Sequence, residues 1–68
     1  MNYHKQIAKI ARFLGREIIV KSVKIQDDNT VKIKATIDGV SCRFHLAEYH
    51  NKYDFRQAFL MRFMEIKR

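Results

Sequence analysis

The sequence predicts an α+β domain in which a three-stranded antiparallel meander carries an N-terminal and a C-terminal helix on one face. Three observations lead to this prediction. Residues 30–46 alternate apolar and polar side chains around an Asp38-Gly39 pair, an apolar stretch before them ends in turn-forming residues, and both chain ends carry apolar residues at helical spacing. The element order is therefore α-β-β-β-α, and we expect residues 1–68 to form one small basic domain.

The first helix is predicted over residues 3–14, with Asn2 as its N-cap and Gly15 as its stop. Its apolar face consists of Tyr3, Ile7, Ile10, Ala11 and Leu14. A stripe of cations without acidic residues lies on the opposite side: Lys5, Lys9, Arg12 and Arg16. This stripe is either a solvated surface or part of a binding site, and the helix alone does not decide between them.

The first strand is predicted over residues 17–26, although its apolar residues change parity part-way along. A β-bulge near Lys21-Ser22 would bring both halves onto the same face. The strand then turns through residues 27–29, which brings Lys24 alongside Lys32. We interpret Asp27 and Asp28 as turn formers, not as a metal site or an acid/base pair.

The second and third strands form a hairpin over residues 30–46, closed by a type I′ turn at Asp38-Gly39. A two-residue loop fixes the register. The predicted apolar pairs are Ile37 with Val40, Ala35 with Cys42, Ile33 with Phe44, and Val31 with Leu46. The opposite face of the sheet is predicted to carry Ser22, Lys24, Lys32, Lys34, Thr36, Ser41, Arg43 and His45.

The last helix is predicted over residues 52–66, after a loop at 47–52, with Asn51 as its cap and Asp54 in its first turn. Its main apolar face comprises Phe55, Ala58, Phe59, Phe63 and Ile66, and Arg62 must lie at the margin of this face or find a partner. A second apolar strip comprises Tyr53, Leu60, Met61 and Met64. Either the first helix covers this strip or a partner protein does.

Composition limits the class of protein and its partners. Fourteen basic and seven acidic residues give a net charge of +7, which favours nucleic acid, an anionic membrane surface or an acidic protein as partner. A core this small also makes a homodimer or a partner subunit plausible. The single cysteine, the lack of an apolar run of about 18 residues and the lack of signal-peptide features predict a cytoplasmic protein with no membrane partner.

Candidate catalytic and metal-binding residues are few. Cys42 should face the core and His45 the opposite side of the sheet, so they cannot form a nucleophile pair. The spacing of His4, Cys42, His45 and His50 matches no compact zinc site. The chain also lacks a glycine-rich phosphate loop. We therefore expect no enzymatic activity, no metal site and no cofactor.

Nucleic-acid binding is the leading hypothesis, with DNA favoured over RNA. The predicted contacts are the sheet residues Lys24, Lys32, Lys34, Arg43 and His45. The helix residues Lys5, Lys9, Arg12 and Arg16 widen the footprint if the packing places them on the same side of the molecule. Because the predicted sheet face has no aromatic residue, contact with the phosphate backbone is favoured over base stacking. The alternative is an accessory subunit that docks on a larger replication enzyme through Tyr53, Leu60, Met61 and Met64.

Two resemblances bear on this hypothesis. The order α-β-β-β-α is that of the double-stranded-RNA-binding domain, but the last helix begins NKYD instead of with a lysine cluster, so that function is not transferred. The run TIDGVSCRFHLAEYHNKYDFRQAFLMRF resembles a segment of phage and mobile-element primase and helicase proteins: a basic hairpin, a short loop and a helix opening on Phe55-Arg56. This resemblance implies a small DNA-recruiting module in a replication context.

Overall fold

The computed structural model describes residues 2–49 and 51–66. Helix α1 spans Tyr3–Leu14, strands β1, β2 and β3 span Ile18–Ile25, Thr30–Ile37 and Val40–Ala47, and helix α2 spans Lys52–Ile66. The strands form an antiparallel sheet in the order β1-β2-β3. The predicted α+β class and element order are confirmed.

Both ends of α1 are capped as the sequence predicts. The Asn2 side-chain oxygen accepts a hydrogen bond from the Lys5 N–H at 3.1 Å. Gly15 has a φ of 66°, a left-handed conformation that glycine adopts without a Cβ clash. The N–H of Arg16 then donates to the Ala11 carbonyl at 3.1 Å, which closes the last turn.

The β2–β3 hairpin has the predicted register in every pair. Asp38 and Gly39 have φ values of 52° and 84°, as a type I′ turn requires. Ala35 faces Cys42 and Ile33 faces Phe44, all of them buried. Val40 is the exception among the predicted apolar pairs, because it is 64% exposed. It lies beside the turn on the edge strand β3, whereas its partner Ile37 lies on the central strand, is flanked on its other side by Ile18 and is buried.

Strand β1 contains the predicted bulge. Val20 pairs with Ala35, whereas Ser22 pairs with Lys34, so the extra residue Lys21 has no partner in the ladder. The bulge lets Val20 and Val23, which differ in parity, both pack against the core. No residue of this edge strand is fully buried, and Ile25 at its end is exposed.

Helix α2 begins at the predicted cap and buries three phenylalanines. Asn51 accepts the Tyr53 N–H on its side chain at 2.8 Å. Phe55, Phe59 and Phe63 point into the core. The prediction that Ile66 belongs to this face is wrong, because Ile66 lies at the end of the helix and is 42% exposed.

Aromatic contacts join α2 to the sheet and the two helices to each other. The rings of Phe44 on β3 and Phe59 on α2 stack with centroids 4.4 Å apart, and Tyr3 on α1 meets Phe55 edge-on at 5.1 Å. Burial, and next the charge of Glu48, raise the pKa of Tyr3 above its ordinary value. Both helices therefore cover the apolar face of the sheet, and no described element covers the opposite face.

Candidate nucleic-acid interface

The uncovered side of the sheet is the basic sheet face. Strand alternation places its residues on the side away from the helices. It comprises Ser22, Lys24, Lys32, Lys34, Thr36, Ser41, Arg43 and His45. Every lysine, the arginine and the histidine in it are exposed, as the sequence predicts.

Cations face one another directly across the strands of this face. Lys24 is paired with Lys32, Lys32 is flanked on its other side by His45, and Lys34 is paired with Arg43. Like charges directly opposite each other destabilise a sheet. The ion pairs between described side chains lie elsewhere, so no described carboxylate neutralises these lysines or Arg43 within 4.0 Å.

The basic sheet face is concave at its centre. A depression of about 480 Å³ spans all three strands, between the Lys24–Lys32 row and the Lys34–Arg43 row. Its walls are formed by Ser22, Lys24, Gln26, Lys32, Ile33, Lys34, Arg43, Phe44 and His45. No acidic residue among the described ranges lines it, and its charged lining consists of Lys24, Lys32, Lys34 and Arg43.

One carboxylate lies near the edge of this surface. The Thr30 hydroxyl donates a hydrogen bond to Asp28, which lowers the pKa of that carboxyl, and the charge of His45 lowers it further. Asp28 therefore stays ionised at neutral pH in the β1–β2 turn. Asp28 therefore lies at the edge of the basic sheet face that is nearest to His45.

The helix cations do not extend the basic sheet face. Lys5, Lys9 and Arg12 are exposed on the side of α1 opposite its buried residues, and those buried residues face the sheet. The three cations therefore point away from the sheet. The condition for a wider footprint is therefore not met, because the sheet cations and these three helix cations lie on opposite sides of the molecule.

Arg16 does not belong with the exposed cations of α1, because it forms an ion pair with Asp38. It lies beyond the end of α1, and its guanidinium donates to Asp38 at 2.8 Å. Asp38 also accepts the Glu17 N–H at 3.1 Å. Asp38 thus links the β2–β3 turn to the start of β1, and Arg16 is occupied with this link.

The second apolar strip of α2 remains largely uncovered. Tyr53, Met61 and Met64 are 66%, 64% and 67% exposed, so α1 does not cover them. Leu60 is half-buried and packs against the core. Of the two predicted arrangements, the one in which α1 sandwiches this strip is therefore wrong.

A further feature escaped the sequence analysis. The cleft between α1 and α2, here called the helix groove, has a volume of about 240 Å³ and is lined by Gln6, Lys9, Ile10, Lys52, Tyr53 and Arg56. Its cations come from both helices. The sequence feature that could have indicated this cleft is the i, i+4 spacing of Lys52 and Arg56, which places both cations on one side of α2.

The described residues contain no group of three metal-ligating side chains. Cys42 is buried, and its thiol hydrogen-bonds the Val40 carbonyl at 3.5 Å, while His45 lies on the other face of the sheet. His50 lies outside the described residues. Neither described helix has the length and apolar character needed to span a bilayer.

Comparison with known proteins gives no match to a family model, to a curated protein or to a solved structure. The function of this chain is therefore argued from its own residues. A fold alone does not imply a function, whereas the charge and shape of a surface limit what it can bind.

Proposed function

We propose that this protein binds the phosphate backbone of DNA, in preference to RNA, through its basic sheet face. The observation that carries the proposal is the set of cross-strand cation pairs, Lys24 with Lys32 and Lys34 with Arg43, around a concave surface without acidic lining. A bound polyanion would remove the repulsion within each pair. Contacts of this kind position a protein on nucleic acid without reading its sequence.

The side chains of this face favour backbone contact over base recognition. Lysine, arginine and hydroxyl groups all donate hydrogen bonds to phosphate oxygens. Adjacent strands lie about 4.8 Å apart, so cations in one row can contact neighbouring phosphates along a nucleic-acid strand. The face displays no aromatic side chain on which a base could stack, since Phe44 is buried on the other side.

We place this activity in the cytoplasm, as an accessory or DNA-recruiting module in the replication of a phage or mobile element. The lone reduced cysteine, Cys42, supports a reducing compartment. The replication context is supported by the resemblance over residues 36–63, the run that includes Arg43 and His45 of the basic sheet face.

The test removes three cations at the centre of the face. The sheet variant carries Lys32→Ala, Lys34→Ala and Arg43→Ala. Duplex binding should weaken, and the slope of log affinity against log salt should fall by about 0.9 for each lost phosphate contact. Duplex, single-stranded DNA and RNA of matched length, each titrated at two salt concentrations, establish which nucleic acid is preferred.

A matched control distinguishes the effect of where the cations are removed from the effect of lowering the total charge. The control variant carries Lys5→Ala, Arg12→Ala and Arg62→Ala, which removes the same charge from exposed positions on the helices. It should keep most of the duplex affinity of the wild type. Unchanged affinity and salt slope in a folded sheet variant would exclude the basic sheet face.

A second candidate function is that of an accessory subunit that docks on a larger replication enzyme. The exposure of Tyr53, Met61 and Met64 on one side of α2 favours it. Duplex binding by the isolated protein at moderate salt supports the first function. Binding that requires a partner protein, and that is lost with Met61→Ser and Met64→Ser, supports the second.

A further inference from the structure

The helix groove is a second cationic site, built from both helices. Lys9 enters it from α1, and Lys52 and Arg56 enter it from consecutive turns of α2. No acidic residue among the described ranges lines it. Cations at i, i+4 repel each other by a few tenths of a kcal/mol, and the Lys52–Arg56 pair carries this cost while the groove is empty of anions.

Aromatic rings hold two of these cations near the groove. The Arg56 guanidinium lies 4.5 Å from the centre of the Phe13 ring, and Lys52 Nζ lies 5.5 Å from the centre of the Tyr53 ring. Phe13 is exposed, so its contact with Arg56 accounts for an otherwise solvated aromatic side chain. A cation that is already ordered loses less side-chain entropy when it binds a phosphate.

The groove and the basic sheet face lie on opposite sides of the molecule. Only helix residues line the groove, and the helices pack on the apolar side of the sheet. The Cα atoms extend over 30 × 21 × 21 Å. Duplex DNA has a persistence length of about 50 nm, so one short duplex cannot bend around a body of this size to reach both sites.

We propose that the helix groove binds the phosphate backbone of a second DNA duplex, so that a single chain bridges two duplexes. The proposal rests on the proposed function of the basic sheet face for the first duplex. A protein of net charge +7 placed between two duplexes lowers their mutual repulsion. A phosphate backbone fits better than an acidic peptide, because half of the lining residues are cations, whereas Ile10 is buried and only Tyr53 offers an exposed aromatic surface in the groove.

The experiment measures bridging and single-duplex binding separately. One duplex is immobilised on beads, and capture of a second, labelled duplex is followed as protein is added at about 0.15 M salt. The groove variant carries Lys9→Ala, Lys52→Ala and Arg56→Ala. It should still shift a single duplex in a gel, but the captured label should fall at least about tenfold, since three phosphate contacts are lost.

Additional variants and a mass measurement serve as controls for this experiment. Lys9→Ala with Lys52→Ala alone keeps the Arg56–Phe13 contact, and it should reduce capture in the same direction while circular dichroism reports an unchanged fold. Arg62→Ala, which removes an exposed cation of α2 outside the groove, should bridge at close to the wild-type level. Wild-type mass at the working concentration, measured by analytical ultracentrifugation, should be that of a monomer.

The outcomes distinguish this inference from the proposed function. If a folded groove variant captures as much labelled duplex as the wild type, the second site is excluded, and the proposal for the basic sheet face is unaffected. The second site is also excluded if bridging occurs only when the protein is a dimer. If the groove variant bridges normally but loses affinity for a polyglutamate peptide, the groove is a protein site and the inference is again overturned. If the sheet variant binds one duplex normally, the proposed function fails instead.

Discussion

The two faces of the β2–β3 hairpin share one backbone and contribute to the protein in opposite ways. On the inner face, Ala35, Phe44 and their neighbours are buried against the helices. On the outer face, Lys34 and Arg43 are held opposite each other in solvent, where they repel. Removing a side chain from the first should lower stability, whereas removing one from the second should lower binding and leave stability equal or higher.

Strand alternation therefore separates stability from the proposed function. Residues one position apart on the same strand report on different properties of the protein. Four experiments sharpen this comparison, two on the packing and charge of the faces and two on the turn that holds the faces in register, from the largest expected effect on the free energy of unfolding to the smallest.

Phe59→Ala should be the most damaging change. Phe59 is fully buried and stacks on Phe44, and a buried phenylalanine replaced by alanine typically costs about 3–5 kcal/mol. Urea denaturation followed by circular dichroism measures the loss. Met61→Ala, on the exposed side of the same helix, is the control and should change stability by less than about 0.5 kcal/mol. Equal losses in the two variants would contradict the packing described here.

Gly39→Ala should cost about 1–2 kcal/mol, because an L-residue with a side chain is strained at its φ of 84°. A Cβ at this position meets no other part of the protein within 4 Å, so the cost arises from the local backbone conformation and not from a clash with distant residues. Gly39→Asn should recover most of the loss, since asparagine tolerates this region of backbone space. Thermal unfolding of the two variants gives the comparison, and a loss of the same size in both would point to another cause.

The ion pair between Arg16 and Asp38 should contribute less. Both side chains are partly exposed, so we expect a coupling energy of about 0.2–1 kcal/mol, reduced by salt. A double-mutant cycle with Arg16→Ala and Asp38→Asn measures it, and asparagine keeps the tolerance for positive φ at the turn. A coupling that does not respond to salt would argue against an electrostatic link.

Lys34→Gln should change stability by no more than the loss of the ion pair, and with the opposite sign. Relief of the repulsion with Arg43 should stabilise the protein by about 0.2–1 kcal/mol at low salt, and the gain should shrink as salt rises. The same change should weaken duplex binding. Lys21→Gln is the matched control, because the bulge residue has no cross-strand partner and reports only the change in total charge.

The sequence predicts the fold well wherever local rules decide the geometry. Asp38-Gly39 fixes a two-residue turn, and that turn fixes the register of the hairpin and the side on which each cation lies. Asn2, Gly15 and Asn51 likewise act within a few residues of their helix ends. The parity change in β1 could be reconciled only by a bulge, so it too was predictable.

Features that depend on how distant elements pack were not predictable. The Arg16–Asp38 ion pair joins residues far apart in sequence, and the helix groove brings Lys9 beside Lys52 and Arg56. The exposure of Val40 and Ile66 follows from where the core ends, which periodicity does not report. Periodicity placed cations on one side of the first helix without indicating that this side faces away from the sheet.

The bulge in β1 bears on how the protein can change in length. Lys21 is the residue left over between two stretches of matched ladder, and all seven cross-strand pairs of β1 form without it. An in-frame loss of its codon would shorten the chain yet keep every pair, with a straighter strand as the outcome. Homologous genes could therefore gain or lose one codon here while Ser22 and Lys24 stay on the basic sheet face.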